Sequence, residues 1–214
     1  MNERILMRVD FQNDFVDPEG KLTLSDTDLI NRQQYFCNSL QKGMFSQIID
    51  VADTHFEETY KATKEAEDYP PHAIYYSWGW HKAAEFKENI PLVNLYKSTT
   101  NIWNEEKNYA LLQQNWKDKN VYLCGVLSDV CVKQAMDGLL KRGAKVSVLE
   151  DLCKGAQKQM SEIVSEPKYT QMLEKGQLRL ITSAQFFREI IKERKQQLQV
   201  LKLTGQRNLK QRAD

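Results

Sequence analysis

Val121-Tyr-Leu-Cys-Gly-Val-Leu-Ser-Asp-Val-Cys131-Val is the stretch whose reading decides the fold. Its first five residues form an apolar run that ends at Gly125, the pattern of a buried strand. A short polar turn follows. An amphipathic helix is then expected over Val130 to Arg142, with Cys131 in its first turn. Unpaired backbone N–H groups and the positive end of the helix dipole gather there. Both are expected to lower a thiol pKa and to suit an oxyanion hole. Cys131 is therefore a candidate nucleophile. Free cysteine also packs as a small apolar residue, and Cys37, Cys124 and Cys153 read that way.

Outward from this strand, the chain alternates β and α. Strands are expected at Arg4–Asp10, Phe45–Ala52, Leu92–Tyr96, Ala144–Leu149 and Leu178–Ile181. Helices are expected at Asp26–Lys42, Ala110–Lys117, around Gly155–Ser165, and from Ser183 through Lys195. Ser25 or Asp26 caps the first helix and Gly43 stops it. Asp53 to Trp80 reads as loop. Such alternation implies an α/β fold, three layers with a mainly parallel central sheet. Sites in such sheets lie outside the carboxyl ends of the strands. The first strand ends at Asp10, the second at Asp53 with His55 beyond, and the third leads to Lys97. With Cys131, these residues are expected to meet on one edge.

Asp10 ends an apolar strand, and its desolvation would raise its pKa toward that of a general base. It could equally cap a turn; Asp14 and Asp17 are better cap candidates, since Asp17-Pro-Glu-Gly20 spells a turn. Lys97 beside a thiol would stabilise the thiolate, or be an ordinary surface lysine. Asp53, His55 and His72 form a carboxylate and two imidazoles, suited to Zn²⁺, Fe²⁺ or Mn²⁺. His81, the third of three histidines, reads as a surface or packing residue.

Composition narrows the classes. The chain has 214 residues and a formal net charge of +1. That size fits one domain over residues 1–195. The near-neutral charge argues against nucleic acid and acidic membranes as partners. Four cysteines do not make a disulfide framework. No apolar run is long enough to span a bilayer, and Met1-Asn-Glu-Arg carries no signal-peptide core. A cytoplasmic location is expected. Residues 196–214 read as a basic tail that frays or is disordered.

Together the motifs resemble the isochorismatase-like cysteine hydrolases, and more narrowly their nicotinamidase (pyrazinamidase) branch. The resemblance rests on Val9-Asp-Phe-Gln-Asn-Asp-Phe15, Asp53-Thr-His55, Tyr69-Pro-Pro-His72, Lys97 and Gly125-Val-Leu-Ser-Asp-Val-Cys-Val132. It covers Ile5 to Cys153. It implies an amidohydrolase converting nicotinamide to nicotinate and ammonia through an acyl-thioester on Cys131. The alternative within the family is another small carboxamide, an N-carbamoyl compound or an isochorismate-like substrate. Asp10 is implied as base, Lys97 as its partner, and the amides of Leu127 and Cys131 as oxyanion hole beside a cis Val126–Leu127 peptide. Asp53, His55 and His72 are implied as ligands of a divalent metal, zinc first, with iron or manganese as alternatives. Phe15 and Tyr69 are implied to flank the substrate ring. Family members are often homo-oligomers. The chain departs from the family at Thr54, Tyr69, Ala73 and Tyr75–Lys82, and the last segment is expected to reshape the pocket.

Overall fold

The computed structural model describes residues 3–87 and 90–210. Six strands, β1 (Arg4–Val9), β2 (Gln47–Asp53), β3 (Leu92–Lys97), β4 (Asn120–Val126), β5 (Lys145–Lys154) and β6 (Leu178–Ile181), build one sheet in the order β3-β2-β1-β4-β5-β6. Every pairing is parallel. β1 is buried along its whole length because helices cover both faces.

The helices are α1 (Asn13–Val16), α2 (Thr27–Ser39), α3 (Glu57–Tyr60), α4 (Tyr109–Gln113), α5 (Lys133–Lys141), α6 (Met160–Val164), α7 (Thr170–Glu174) and α8 (Ser183–Lys210). On one face α2 and α8 meet the sheet through an aromatic stack of Phe36, Phe45, Tyr122 and Phe186. On the other, α5 packs beside Trp103 and Trp116, whose rings meet edge to face. Asp26 caps α2 by accepting from the Leu29 amide at 2.9 Å, as its sequence position implied. The three-layer α/β architecture expected from the alternation is the one observed.

The boundaries differ at instructive places. The expected Val130–Arg142 helix opens as a wide π turn over Ser128–Val132, in which the amides of Val130 and Val132 both donate to the Leu127 carbonyl; α5 then follows. The Asp53–Trp80 loop contains α3 and two 3₁₀ turns. The last helix continues past Lys195 to Lys210, and residues 211–214 of the expected tail lie outside the described residues, as do Met1 and Asn2. Among the described residues no helix is long and apolar enough to cross a membrane.

The strand order reverses direction at β1, so the carboxyl ends of β1 and β4 open a crevice. Gly125 sits where β4 passes β1 with φ of 121°; a Cβ there would lie 2.0 Å from the Val9 carbonyl oxygen. Only glycine fits this close approach.

Candidate active site

The parallel register brings the candidate residues together. Asp53 ends β2 opposite Lys97 at the end of β3. Asp10 follows β1 in a left-handed conformation, φ 52°, that aspartate tolerates better than most residues. Its Oδ2 lies 2.8 Å from Lys97 Nζ, which also reaches Asp53 Oδ1 at 3.2 Å. All three side chains are buried. Lys97 thus ties the β1 carboxylate to the β2 carboxylate. Asp10 Oδ1 is buried with no hydrogen-bond partner among the described residues.

Cys131 lines the same cavity as Asp10 and Lys97. Burial raises the Asp10 pKa, the Lys97 ammonium pulls it down, and the nearby Asp53 charge helps leave it above the ordinary value. Burial likewise pushes the Cys131 thiol well above its ordinary value, with Lys97 opposing. This corrects the expectation of a thiol acidified by a helix end. The π turn replaces the regular first turn, and desolvation outweighs the favourable charge. A thiol and a carboxylate whose pKa values are both raised by burial are chemically able to exchange a proton.

A second group of donors adjoins the first. His55 Nε2 lies 3.1 Å from Asp53 Oδ2 and 3.1 Å from Glu65 Oε2; His72 Nε2 lies 3.3 Å from Asp53 Oδ2. One ligand atom from each of Asp53, His55, Glu65 and His72 falls within 4.8 Å of the others. Glu65 was missed in the sequence, where Lys64-Glu-Ala-Glu67 looks like an ordinary charged turn. Its buried Oε2 faces the two histidine ring nitrogens, His55 Nε2 at 3.1 Å and His72 Nε2 at 3.9 Å. Burial disfavours a charged His55, but the Asp53 and Glu65 carboxylates outweigh it and raise its pKa to about 9. Two carboxylates facing two imidazoles call for positive charge at their centre. His72 Nδ1 is 2.9 Å from the Pro70 carbonyl, which turns its Nε2 lone pair toward that centre. An N₂O₂ donor set with an oriented histidine fits a divalent transition metal.

Other side chains hold these elements in place. Gln12 clasps the Asp53 backbone twice, donating to its carbonyl at 2.9 Å and accepting from its amide at 2.8 Å. Asp14 accepts from the Ala73 amide at 2.7 Å and the Lys21 amide at 3.1 Å, pinning the His72 loop to α1. A Cβ on Gly79 would fall 2.1 Å from that carboxylate. Asp17 makes the expected local turn, accepting from the Glu19 amide. Asp129 accepts from the amides of Ala156, Gln157 and Lys158 at 2.8–3.2 Å, fastening the loop after β5 beside Cys131.

The cavity has a volume of about 290 Å³. Phe15 and Tyr69 line it, both edge-on to His72 with ring centroids at 5.7 and 6.4 Å. Val126, Leu127, joined by a cis peptide, and Cys131 form the wall beside Asp10. Residues 75–82 do not line it, which corrects the expectation that this segment reshapes the pocket. Trp80 instead packs on Tyr75 and Tyr96 and donates to Thr54 Oγ1, outside the cavity. Leu22, Leu24 and Val130 supply the apolar wall. His81 is exposed, as expected.

Residues 4–166 match a family model described as the Isochorismatase domain. A comparison with curated proteins gave no match. Solved structures with the same fold include a pyrazinamidase of Pyrococcus horikoshii in complex with zinc, at 22% identity and a TM-score of 0.63, covering 84% of this chain and 99% of that one. PnC1 from L. infantum in complex with nicotinate aligns at 23% identity and 0.63, over 86% and 94%. An N-carbamoylsarcosine amidase from Thermoplasma acidophilum aligns at 18% and 0.57, over 85% and 96%.

Proposed function

Because the chain belongs to the isochorismatase family of hydrolases, we propose that it is a nicotinamidase, a cysteine amidohydrolase converting nicotinamide to nicotinate and ammonia. The observation that carries this reading is the lining of the cavity. Apart from Asp10, Asp53, Glu65, His72 and Lys97, the lining residues are uncharged. The one ammonium, Lys97, is already held by two carboxylates. Substrates bearing a carboxylate, such as N-carbamoyl amino acids, would find no free cation among these side chains. A neutral aromatic carboxamide between Phe15 and Tyr69 meets no such penalty.

Asp10 takes the Cys131 proton as Sγ attacks the carboxamide carbon. The Leu127 and Cys131 amides hold the oxyanion. As the tetrahedral species collapses, Asp10 returns the proton to the leaving nitrogen and ammonia departs. Asp10 then deprotonates a water that attacks the thioester, releasing nicotinate and restoring the thiol. Lys97 keeps Asp10 oriented and ionised between these transfers. Asp53, His55, Glu65 and His72 would hold a divalent cation, zinc first, which when bound supplies a Lewis-acid contact for a ring nitrogen. The test is ammonia release from nicotinamide and from N-carbamoylsarcosine, before and after chelation and zinc addition. Turnover of nicotinamide restored by zinc is the expected result; turnover of N-carbamoylsarcosine alone overturns the reading.

A further inference from the structure

A second cavity, of about 400 Å³, adjoins the first at Lys97. Lys97 lines both, and His55 lines the second while its Nε2 faces Asp53 and Glu65. None of the catalytic chemistry uses this space. Four aromatic side chains, Phe56, Tyr60, Tyr75 and Tyr96, wall it. Phe56 and Tyr75 touch, with ring centroids 5.4 Å apart. Phe56 and Tyr96 are 46% and 42% exposed, so the mouth opens to solvent.

Glu105 supplies its charge. The residue is only 8% exposed, although it lies in a segment with no catalytic motif. Its Oε1 accepts from the Ser98 amide at 2.7 Å and the Ser98 hydroxyl at 3.2 Å. Its Oε2 makes no hydrogen bond or ion pair among the described residues, and it is not one of the sealed, unpartnered atoms of the interior. Glu105 is one of the residues lining the cavity. The Lys97 ammonium does not neutralise it, being spent on Asp10 and Asp53.

We propose that this second cavity is a binding site for a small organic cation, held by the Glu105 carboxylate and the faces of Phe56, Tyr75 and Tyr96. A weakly hydrated organic cation gains from aromatic faces and from a carboxylate already desolvated by the fold. A hard divalent ion prefers several charged oxygen ligands, and among the described residues Glu105 is the one carboxylate of the lining, the other side-chain oxygens being neutral hydroxyls. His55 and Lys97 also border the cavity, but their charged nitrogens face the carboxylates of the first site. The site is independent of the reaction assigned to the first cavity.

The experiment is isothermal titration of the full chain with N-methylpyridinium, and with benzoate as the anionic control. Wild-type protein is expected to bind the cation and to show no heat with benzoate. Glu105→Gln keeps an acceptor for both Ser98 bonds and should weaken cation binding about ten-fold or more. Phe56→Leu, at an exposed position that lines only this cavity, should weaken it several-fold. Unchanged thermal midpoints would show that both variants are folded. No binding to the wild type, or equal binding to wild type and Glu105→Gln, would overturn the proposal.

Discussion

Two buried charge clusters begin on the same pair of strands and are satisfied to different degrees. In one, Arg8 on β1 makes a two-armed pair with Asp50 on β2, at 2.9 and 2.7 Å. Arg8 also donates to the Ala84 carbonyl and lies over the Phe86 ring, and Lys82 adds a contact to Asp50 at 3.2 Å. In the other, just past the end of β1, Asp10 and Lys97 join Asp53, His55, Glu65 and His72. There Asp10 Oδ1 is buried without a hydrogen-bond partner among the described residues, and the buried Glu65 Oε2 has only histidine ring nitrogens beside it, His55 Nε2 at 3.1 Å being the nearer. The first cluster is closed, so its groups hold the sheet together. The second leaves acceptors open, a cost that persists where a substrate or ion is to be bound.

Replacing the proposed nucleophile is expected to give the largest effect. Cys131→Ala should abolish nicotinamide turnover, by about 10⁴-fold or more, while the thermal midpoint stays near that of the wild type. Retained turnover would remove Cys131 from the chemistry and break the contrast at its catalytic end.

The clusters should then separate on stability. Asp50→Ala strands Arg8 and Lys82 in the interior and should cost about 3–5 kcal/mol. Asp10→Asn should cost less, because Lys97 keeps Asp53, yet it should still abolish turnover. Denaturant midpoints of the two variants measure this; equal losses would erase the distinction between a structural and a working cluster.

Next comes the fourth donor. Glu65→Gln should weaken Zn²⁺ affinity by at least the roughly 10–100-fold that loss of an outer-shell partner costs, read by competition with a chelating dye. Unchanged affinity would leave Asp53, His55 and His72 as the whole set.

Acid should sharpen the comparison more gently. Burial opposes ionisation of Asp50, but Arg8 and Lys82 outweigh it and hold its pKa below the ordinary value. Asp53 is lowered in the same way by Lys97 and the two histidines, against burial. A depressed carboxylate stabilises the fold fully above its unfolded pKa, about 3.9. That contribution is lost as pH falls through the lower, folded pKa. Wild-type stability should therefore drop below about pH 4, and Asp50→Asn should flatten this part of the profile. An identical acid limb in the variant would show that Asp50 does not carry it.

The smallest effect concerns the loop beside Cys131. Asp129→Ala leaves three amides without their acceptor and should raise KM about ten-fold, in line with a loss of about 1–3 kcal/mol, with a smaller change in kcat. A change in kcat alone would place Asp129 in the chemistry instead of the cavity wall.

Several of these residues were legible before folding was considered. Apolar runs punctuated by Gly and Asp gave the strand ends, and a parallel sheet sends those ends to one edge. Asp10, Asp53, Lys97 and Cys131 could be gathered on that ground alone. His55 and His72 followed from residue chemistry. Glu65 was hidden because one glutamate in a charged turn looks like any other, and only the chain's return past α3 brings it to His55. Gln12, Asp129 and Glu105 were hidden likewise, since their partners lie 27 to 41 residues away or on a neighbouring loop. Arg8 reads as a polar interruption of a buried strand, and its pairing with Asp50 depends on the β1–β2 register. Tyr75–Lys82 looked like pocket wall because it follows His72, yet it packs outward. By itself, then, the sequence determined the periodicity, the strand ends and the reactive residue types, because these are local properties of the chain. Tertiary structure decided which charges are closed off, which stay open and which segments wall the cavity, because each depends on distances between residues remote in sequence.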